Sequence, residues 1–207
     1  MVVYILVAII AYAIGSVNFS IIFSKKFAGF DVREKGSGNA GTTNMLRSAG
    51  KGLAALTLIC DILKGVVAIL LALGIGKIAN DSTPEILVQI AGIFAVIGHT
   101  FPVYFGFRGG KGVATALGIL LLTNWQIGLI CLVFAIVVMA LTRMVSLGSI
   151  MAAILFPVLT IFISEHYIVE GNYVIFGILM AIIVVFNHRA NLKRIYKGEE
   201  NKLSFKK

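Results

Sequence analysis

The sequence is short of charge, proline and cysteine. Charged residues make up 13% of its 207 residues, whereas a soluble domain has about 25%, so a water-exposed globular surface is excluded. The 3 prolines leave room for long uninterrupted helices. The 2 cysteines, Cys60 and Cys131, both lie within apolar runs, which argues against a secreted fold held by disulfides.

Hydrophobic residues are abundant instead. They form 59% of the chain, and the mean hydropathy of +0.99 indicates that lipid is the solvent for most of the surface. Apolar runs of about 20 residues predict an all-α, polytopic integral membrane protein with seven transmembrane helices in a single domain, residues 1–207. The predicted spans are 2–24, 53–75, 86–107, 112–124, 126–142, 145–165 and 172–188. The fourth is short, and a re-entrant segment is its alternative.

The positive charges predict the orientation. Six of the 18 Lys and Arg residues lie between residues 25 and 51, and seven follow Phe186. The positive-inside rule places both groups on the cytoplasmic face, which requires an even number of crossings between them and therefore counts segment 112–124. The N-terminus is then outside and the C-terminus cytoplasmic, and the family resemblance described below implies the bacterial cytoplasmic (inner) membrane. Topology thus explains the net charge of +9 without a nucleic-acid partner.

The first cytoplasmic segment of interest is glycine-rich and is followed by Arg47. Its glycines can turn successive N–H groups into one concavity, which suits an anion. A flexible glycine and serine turn is the alternative. The residues that supply backbone or side-chain donors are Gly36, Ser37, Gly38, Asn39, Gly41, Thr42, Thr43 and Asn44.

The second segment runs over Gly98–Gly112. Gly109 and Gly110 precede Lys111 and the start of the next predicted helix, whose N-terminal N–H groups favour a phosphate. The glycine spacing of a nucleotide-binding Walker A loop and its Ser or Thr are absent, so ATP hydrolysis is a poor inference. Alternatively, Arg108 and Lys111 are topology signals only.

The third segment follows the last predicted span. His188 and Asn191 are three residues apart and share one face if that helix continues, and Glu199 is placed to reach back to one of them or to a cation. A purely structural histidine at the membrane boundary is the alternative.

Two charged residues and a histidine lie well inside the second and third predicted spans. Asp61 and Lys64 are three residues apart near the middle of the second span, and His99 lies in the inner half of the third. A charge at that depth marks function by default, but a neutralised pair that fixes helix packing explains Asp61 and Lys64 equally well. We leave the roles of all three open.

The three segments, in this order, resemble the signature motifs of the bacterial acyl-phosphate-dependent glycerol-3-phosphate acyltransferases, the PlsY family. The likeness extends from Gly15 to the C-terminal tail and includes Asp61 to Gly65. The resemblance implies transfer of a long-chain acyl group from acyl phosphate to the 1-hydroxyl of sn-glycerol-3-phosphate. The products are 1-acyl-glycerol-3-phosphate (lysophosphatidic acid) and inorganic phosphate, in the first acylation of phospholipid synthesis.

The resemblance also implies the site. The catalytic residues would be Ser37, Arg47, Lys111 and His188. The substrate-binding residues would be Gly36, Gly38, Asn39, Thr43, Asn44, Gly109, Gly110, Asn191 and Glu199. No metal and no cofactor are expected, since the sequence has no His and Cys cluster with metal spacing. The expected partners are glycerol-3-phosphate, long-chain acyl phosphate and membrane lipid. Acyl phosphate arrives either from a soluble enzyme that forms it or by diffusion in the bilayer.

The chemistry needs little more than orientation and charge. Acyl phosphate is already activated, so cations on the departing phosphate and donors at the developing oxyanion suffice. Three groups compete for the proton or the acyl group: His188 as base, a substrate phosphate oxygen as base, which we favour, and Ser37 as nucleophile. A transporter of a phosphorylated solute is the alternative function, although the polar loops crowd one predicted face.

Overall fold

The computed structural model describes residues 1–163 and 168–203, and every regular element over these residues is helical. The all-α prediction is therefore confirmed for the described part of the chain. Residues 164 and 165, at the end of the sixth predicted span, lie outside it. Ten α-helices are described: α1 (Val2–Ser16), α2 (Phe19–Phe23), α3 (Thr42–Ser48), α4 (Lys51–Ile78), α5 (Pro84–Thr100), α6 (Val113–Thr123), α7 (Trp125–Thr142), α8 (Val145–Phe162), α9 (Val174–Asn187) and α10 (Arg189–Tyr196).

Five helical runs among the described residues are long and apolar enough to cross a membrane. They are Val2–Ala28, Lys51–Ile78, Pro84–Phe105, Trp125–Thr142 and Val145–Phe162. The pair α9 and α10, bent by 62°, makes a sixth if it is counted as one span. Helix α6 has 11 residues and measures about 16 Å, roughly half of the hydrocarbon core of a bilayer.

The first run is interrupted after Ser16, where the sequence predicts one continuous helix. Asn18 ends the interruption because its side chain caps α2: Oδ1 accepts hydrogen bonds from the Ile21 amide at 3.2 Å and from the Ser20 hydroxyl at 2.7 Å. A capping asparagine offers the backbone an alternative to continued helix. The α-helix is therefore interrupted at Val17 and Asn18.

The chain divides into two compact units, Met1–Ile119 and Leu120–Lys207. In the first unit, α1, α4 and α5 pack together, and α1 meets α5 backbone to backbone. A Cβ atom on Gly15 would overlap the Ala95 carbonyl oxygen, and one on Gly98 would overlap that of Tyr12. Small residues at such crossings let helix backbones approach closely, which drives helix association in membranes.

In the second unit, α7 packs on α8 and α8 on α9. An edge-to-face aromatic pair joins α8 and α9: the Phe176 ring lies 6.0 Å from the Phe156 ring. The Tyr173 ring, at the start of α9, lies 6.0 Å from the Phe176 ring as well. Helix α9 ends at Asn187, and the chain bends at His188 before α10 begins.

We predict that Gly98→Ala lowers the stability of the folded protein by about 1–3 kcal/mol, because the added methyl group overlaps backbone atoms of α1. The matched control is Gly74→Ala in α4, where a Cβ atom has open space and the change should stabilise by about 0.5–1 kcal/mol. Thermal unfolding midpoints in detergent compare the two variants. Equal midpoints would contradict the close packing of α1 on α5.

Candidate functional site

The first glycine-rich segment is organised around the side chain of Asn44. Its Oδ1 accepts a hydrogen bond from the Ser37 amide at 2.9 Å. Its Nδ2 donates to the carbonyl oxygens of Val32 at 2.8 Å and Lys35 at 3.0 Å. Both amide hydrogens therefore bond carbonyl oxygens that lie just before the segment, and Asn44 holds Ser37 in place.

Two glycines in this segment need their backbone freedom. Gly36 has φ +56° and Gly38 has φ +71°, conformations that glycine adopts at low cost. Gly41, predicted to share this property, is extended with φ −165°. The turn leaves Ser37 exposed between the two glycines, and Arg47 is exposed near the end of α3. Both side chains thus face outward from a fixed backbone.

Two further hydroxyl groups lie beside this turn. Thr42 Oγ1 and Ser48 Oγ are buried and have no hydrogen-bond partner among the described residues. Asn39 and Thr43 are half-buried in the same segment. The segment therefore holds polar groups beyond those that its own folding uses.

The second segment is anchored to the first by Arg33. Its Nη1 donates to the carbonyl oxygens of Phe105 at 2.7 Å and Arg108 at 3.2 Å. Asp31 fixes the guanidinium group, accepting from Nε at 3.0 Å and from Nη2 at 2.7 Å. These hydrogen bonds, together with Lys25 at 3.2 Å, hold the pKa of the Asp31 carboxyl well below its usual range. Sequence reasoning counted Arg33 only as a topology charge.

Gly109 and Gly110 are required by space. The Gly109 amide donates to the Thr100 carbonyl oxygen at 3.0 Å and the Gly110 amide to that of His99 at 3.1 Å. A Cβ atom on Gly110 would overlap both His99 Nε2 and the Ala40 carbonyl oxygen. The first and second segments therefore meet at this glycine, with Lys111 next along the chain.

The two predicted intramembrane charges form a buried pair. Lys64 Nζ lies 2.9 Å from Asp61 Oδ1, 2.8 Å from His99 Nδ1 and 2.8 Å from the Val17 carbonyl oxygen. Relative exposures of the three side chains are 4% or less. Residues from α4, α5 and the end of α1 are thus tied together at one point, and His99 extends the group to Gly110.

The third segment belongs to the second unit. His188 is buried, and its Nδ1 donates to the Val184 carbonyl oxygen at 2.8 Å. The neutral ring therefore carries its hydrogen on Nδ1, and Nε2 is an acceptor. The sequence left open whether the last helix continues; the chain bends at His188, and Asn191 lies buried on α10.

Asn191 is held by Glu200, a residue that sequence reasoning missed. One Glu200 oxygen accepts from Asn191 Nδ2 at 2.7 Å and from Ser146 Oγ at 2.8 Å, and the other from Arg194 Nε at 2.9 Å. Burial raises the pKa of the Glu200 carboxyl, but these hydrogen bonds outweigh burial, and the pKa is lowered overall. Glu199, which we expected to reach back, is exposed. The only sequence signal for Glu200 was an acidic pair after the helix-ending Gly198.

The structure thus brings the first two predicted segments together within the first unit. Asn191, from the third segment, is hydrogen-bonded within the second unit. The exposed Ser37 and Arg47 and the half-buried Lys111 stand on backbone that is fixed by internal hydrogen bonds. Across residues 1–163 and 168–203, no group of three metal-ligating side chains is found. The catalytic and substrate-binding assignments stay predictions.

A family model described as glycerol-3-phosphate acyltransferase matches residues 5–198 of the chain. Similar proteins carry the same description. The protein of Clostridioides difficile (strain 630) is 42% identical over 208 residues, which cover 99% of this chain and 97% of that protein. The protein of Nostoc sp. (strain PCC 7120) is 42% identical over 212 residues, which cover 97% and 92%.

Two solved structures share the fold. Both are crystal structures of PlsY, described as an integral membrane glycerol 3-phosphate acyltransferase. The glycerol 3-phosphate form has a TM-score of 0.84 and 33% sequence identity, covering 97% of this chain and 96% of that one. The lysophosphatidic acid form has a TM-score of 0.82 and 33% identity, covering 97% and 95%.

We predict that Glu200→Gln lowers the stability of the protein by about 1–3 kcal/mol, because the new amide donor faces Arg194 Nε. Glu199→Gln is the matched control and should have no effect, because that side chain is exposed. Thermal unfolding midpoints in detergent at neutral pH measure the difference. A drop in Glu199→Gln as large as that in Glu200→Gln would contradict the assignment.

The difference between wild type and Glu200→Gln should also depend on pH. The folded-state pKa of Glu200 is lowered, so its stabilising contribution is complete above the unfolded-state value of about 4.3. It is lost as the pH falls through the lower folded-state value. Unfolding midpoints between pH 7 and 3.5 should therefore converge at the acidic end. A constant gap across that range would contradict the role of the carboxylate.

Proposed function

Because this chain belongs to the glycerol-3-phosphate acyltransferase family and is an integral membrane acyltransferase of phospholipid synthesis, we propose that its acyl donor is a long-chain acyl phosphate. The acceptor is the 1-hydroxyl of sn-glycerol-3-phosphate, and the products are lysophosphatidic acid and inorganic phosphate. The family assignment decides against the transporter alternative.

One observation carries the proposal: two glycine-rich segments, each next to an exposed or half-buried cation, meet at Gly110. Backbone N–H groups and cations together suit phosphate oxygens. Arg33 and Asn44 fix these segments through their side-chain hydrogen bonds, and the proposal assigns the ligand contacts to Ser37, Arg47 and Lys111. An acyl phosphate donor places a phosphate at the reacting carbon, where such a surface is useful.

In the proposed reaction the 1-hydroxyl oxygen attacks the acyl carbonyl carbon, and the bond from that carbon to the phosphate oxygen breaks. Arg47 and Lys111 stabilise the phosphate as it departs with the electron pair, and Ser37 donates a hydrogen bond to the reacting region. The Gly36, Gly38, Gly109 and Gly110 backbone closes around phosphate oxygens. No covalent acyl-enzyme is formed.

The hydroxyl proton passes to a phosphate oxygen of the substrate. His188 and Asn191 help hold glycerol-3-phosphate in this proposal. His188 is also the competing base, since Nδ1 is already committed to Val184. Retained turnover in His188→Ala, with a raised KM for glycerol-3-phosphate, would decide for the substrate phosphate.

We further propose that the chain crosses the bacterial inner membrane seven times, with α6 as the short fourth crossing. The described runs provide up to six spans without it, and the two cation-rich regions require an even number between them. The N-terminus is then outside, and the site lies on the cytoplasmic face. Acyl phosphate reaches it from the bilayer or from a soluble enzyme that forms it.

The donor is tested with purified protein in detergent. We expect phosphate release and lysophosphatidic acid from palmitoyl phosphate and glycerol-3-phosphate, and neither product when acyl-CoA or acyl carrier protein thioester replaces the acyl phosphate. Turnover with a thioester alone, in folded protein, would overturn the proposed donor while leaving the acyltransferase assignment intact.

Three substitutions test the site residues. Ser37→Ala, Arg47→Ala and Lys111→Ala should each lower kcat/KM by about 10²–10³-fold, as removal of one transition-state donor does. Lys51→Ala is the matched control, an exposed cation at the start of α4, and it should leave kcat/KM unchanged. Equal losses of kcat/KM in Lys51→Ala and Lys111→Ala would show that Lys111 contributes only to the general positive charge of the surface, and would contradict its proposed role.

The orientation is tested with single cysteines on a Cys60→Ser, Cys131→Ser background. Ser82→Cys and Lys51→Cys place thiols at exposed positions on the proposed outer and cytoplasmic faces. A membrane-impermeant maleimide applied to intact cells should label the first and spare the second until the cells are opened. The reverse labelling pattern would invert the topology.

A further inference from the structure

Lys64 determines which nitrogen of His99 carries the hydrogen. An ammonium group has three N–H donors and no acceptor, and Lys64 Nζ has three acceptors near it. These are the Val17 carbonyl oxygen at 2.8 Å, Asp61 Oδ1 at 2.9 Å and His99 Nδ1 at 2.8 Å. A charged Lys64 therefore makes His99 Nδ1 an acceptor, although Asp61 Oδ1 also lies 3.6 Å from it, and the neutral ring then carries its hydrogen on Nε2.

Nε2 faces the place where the two glycine-rich segments meet. A Cβ atom on Gly110 would overlap both Nε2 and the Ala40 carbonyl oxygen. The backbone of His99 also accepts the Gly110 amide hydrogen, at 3.1 Å. One residue thus contacts Gly110 through its main chain and through its ring.

The Ala40 carbonyl oxygen accepts a hydrogen bond from the buried Asn18, whose Nδ2 lies 3.5 Å from it. Asn18 follows Val17, whose carbonyl oxygen Lys64 binds. Two sets of contacts therefore connect the interruption after α1 with the place where the two segments meet. One is the hydrogen bond from Asn18 to Ala40, and the other runs from Val17 through Lys64 to His99.

We propose that His99, with its hydrogen placed on Nε2 by Lys64 and Asp61, is a positioning residue that sets the separation of the two anion-binding segments. His99 Nε2 and the Ala40 carbonyl oxygen both lie beside Gly110, and an Nε2–H group suits a nearby carbonyl oxygen better than a bare Nε2 does. The separation decides whether Lys111 and the Ser37 turn engage the same phosphate. This inference rests on the proposed function of those segments.

Two isosteric variants separate this role from simple packing. The amide nitrogen of Gln can stand where Nε2 stands, whereas the amide of Asn reaches only as far as Nδ1. His99→Gln should keep kcat/KM within threefold of wild type. His99→Asn should lower kcat/KM at least tenfold and raise the inhibition constant of inorganic phosphate at least fivefold, with an unchanged thermal midpoint. Equal activity in the two variants, whether both are active or both inactive, would overturn the proposal.

A third variant removes the Lys64 ammonium group, which donates to His99, and keeps the His99 ring. Asp61→Leu with Lys64→Met replaces the ion pair by apolar side chains of similar size, a change that buried pairs commonly tolerate. The hydrogen on His99 is then no longer directed to Nε2, and inorganic phosphate should bind at least fivefold more weakly. Phosphate inhibition equal to that of wild type in the folded double variant would overturn the role of Lys64.

The tautomer itself is measured without turnover. In protein labelled with ¹⁵N-histidine, nitrogen shifts in detergent should show a hydrogen on Nε2 and none on Nδ1 of His99, identified by the signals lost in His99→Gln. A hydrogen on Nδ1 would overturn the proposal. Failure of wild type to use acyl phosphate would instead remove only the proposed donor, and the His99 variants would then be compared with the donor that supports turnover.

Discussion

A single ammonium group joins the membrane-embedded part of the first unit to its polar loops. Lys64 Nζ binds the carbonyl oxygen at which α1 is interrupted, the Asp61 carboxylate on its own helix and the His99 ring on α5. An unpaired charge at that depth would be costly, so the three helices must meet there. The position of Gly110, and with it the second glycine-rich segment, follows from that meeting.

The two glycine-rich segments are also held in place by hydrogen bonds from side chains to backbone carbonyl oxygens. The Asn44 side-chain amide donates both of its hydrogens to backbone carbonyl oxygens next to the first segment. The Arg33 guanidinium group donates to backbone carbonyl oxygens of the second segment. Such fixed loops can present outward-facing donors at little entropic cost on binding. The exposed residues Ser37 and Arg47 belong to this pre-organised surface.

The sequence predicted the class of fold well because composition and apolar run length are strong signals in lipid. Helix α4 was predicted at 53–75 and is observed at Lys51–Ile78. Helix α7 was predicted at 126–142 and is observed at Trp125–Thr142. The interruption at Asn18 was missed because a capping side chain within an apolar run does not change the hydropathy. The sequence left open whether the last helix continues past residue 188, and the chain bends there.

The candidate site was predicted in part. The glycine-rich segments stood out by composition, but which side chains brace them depends on contacts distant in the chain, such as Arg33 with Phe105 and His99 with Gly110. The internal hydrogen bonds of Asn44 to residues 32, 35 and 37 were not foreseen, while its predicted role in substrate binding stays a prediction. Between two adjacent acids, only burial distinguishes Glu200 from Glu199.

The shortness of α6 has a consequence for how the two substrates of the proposed reaction travel. In the proposed seven-span topology, a helix of 11 residues cannot match the thickness of the hydrocarbon layer, so the bilayer thins beside it or its flanking loops sink below the headgroups. A polar loop at that level meets the head of a lipid-like donor whose chain never leaves its leaflet. Only the water-soluble partner then has to descend, and the aqueous path to the loop becomes the route along which that partner is admitted.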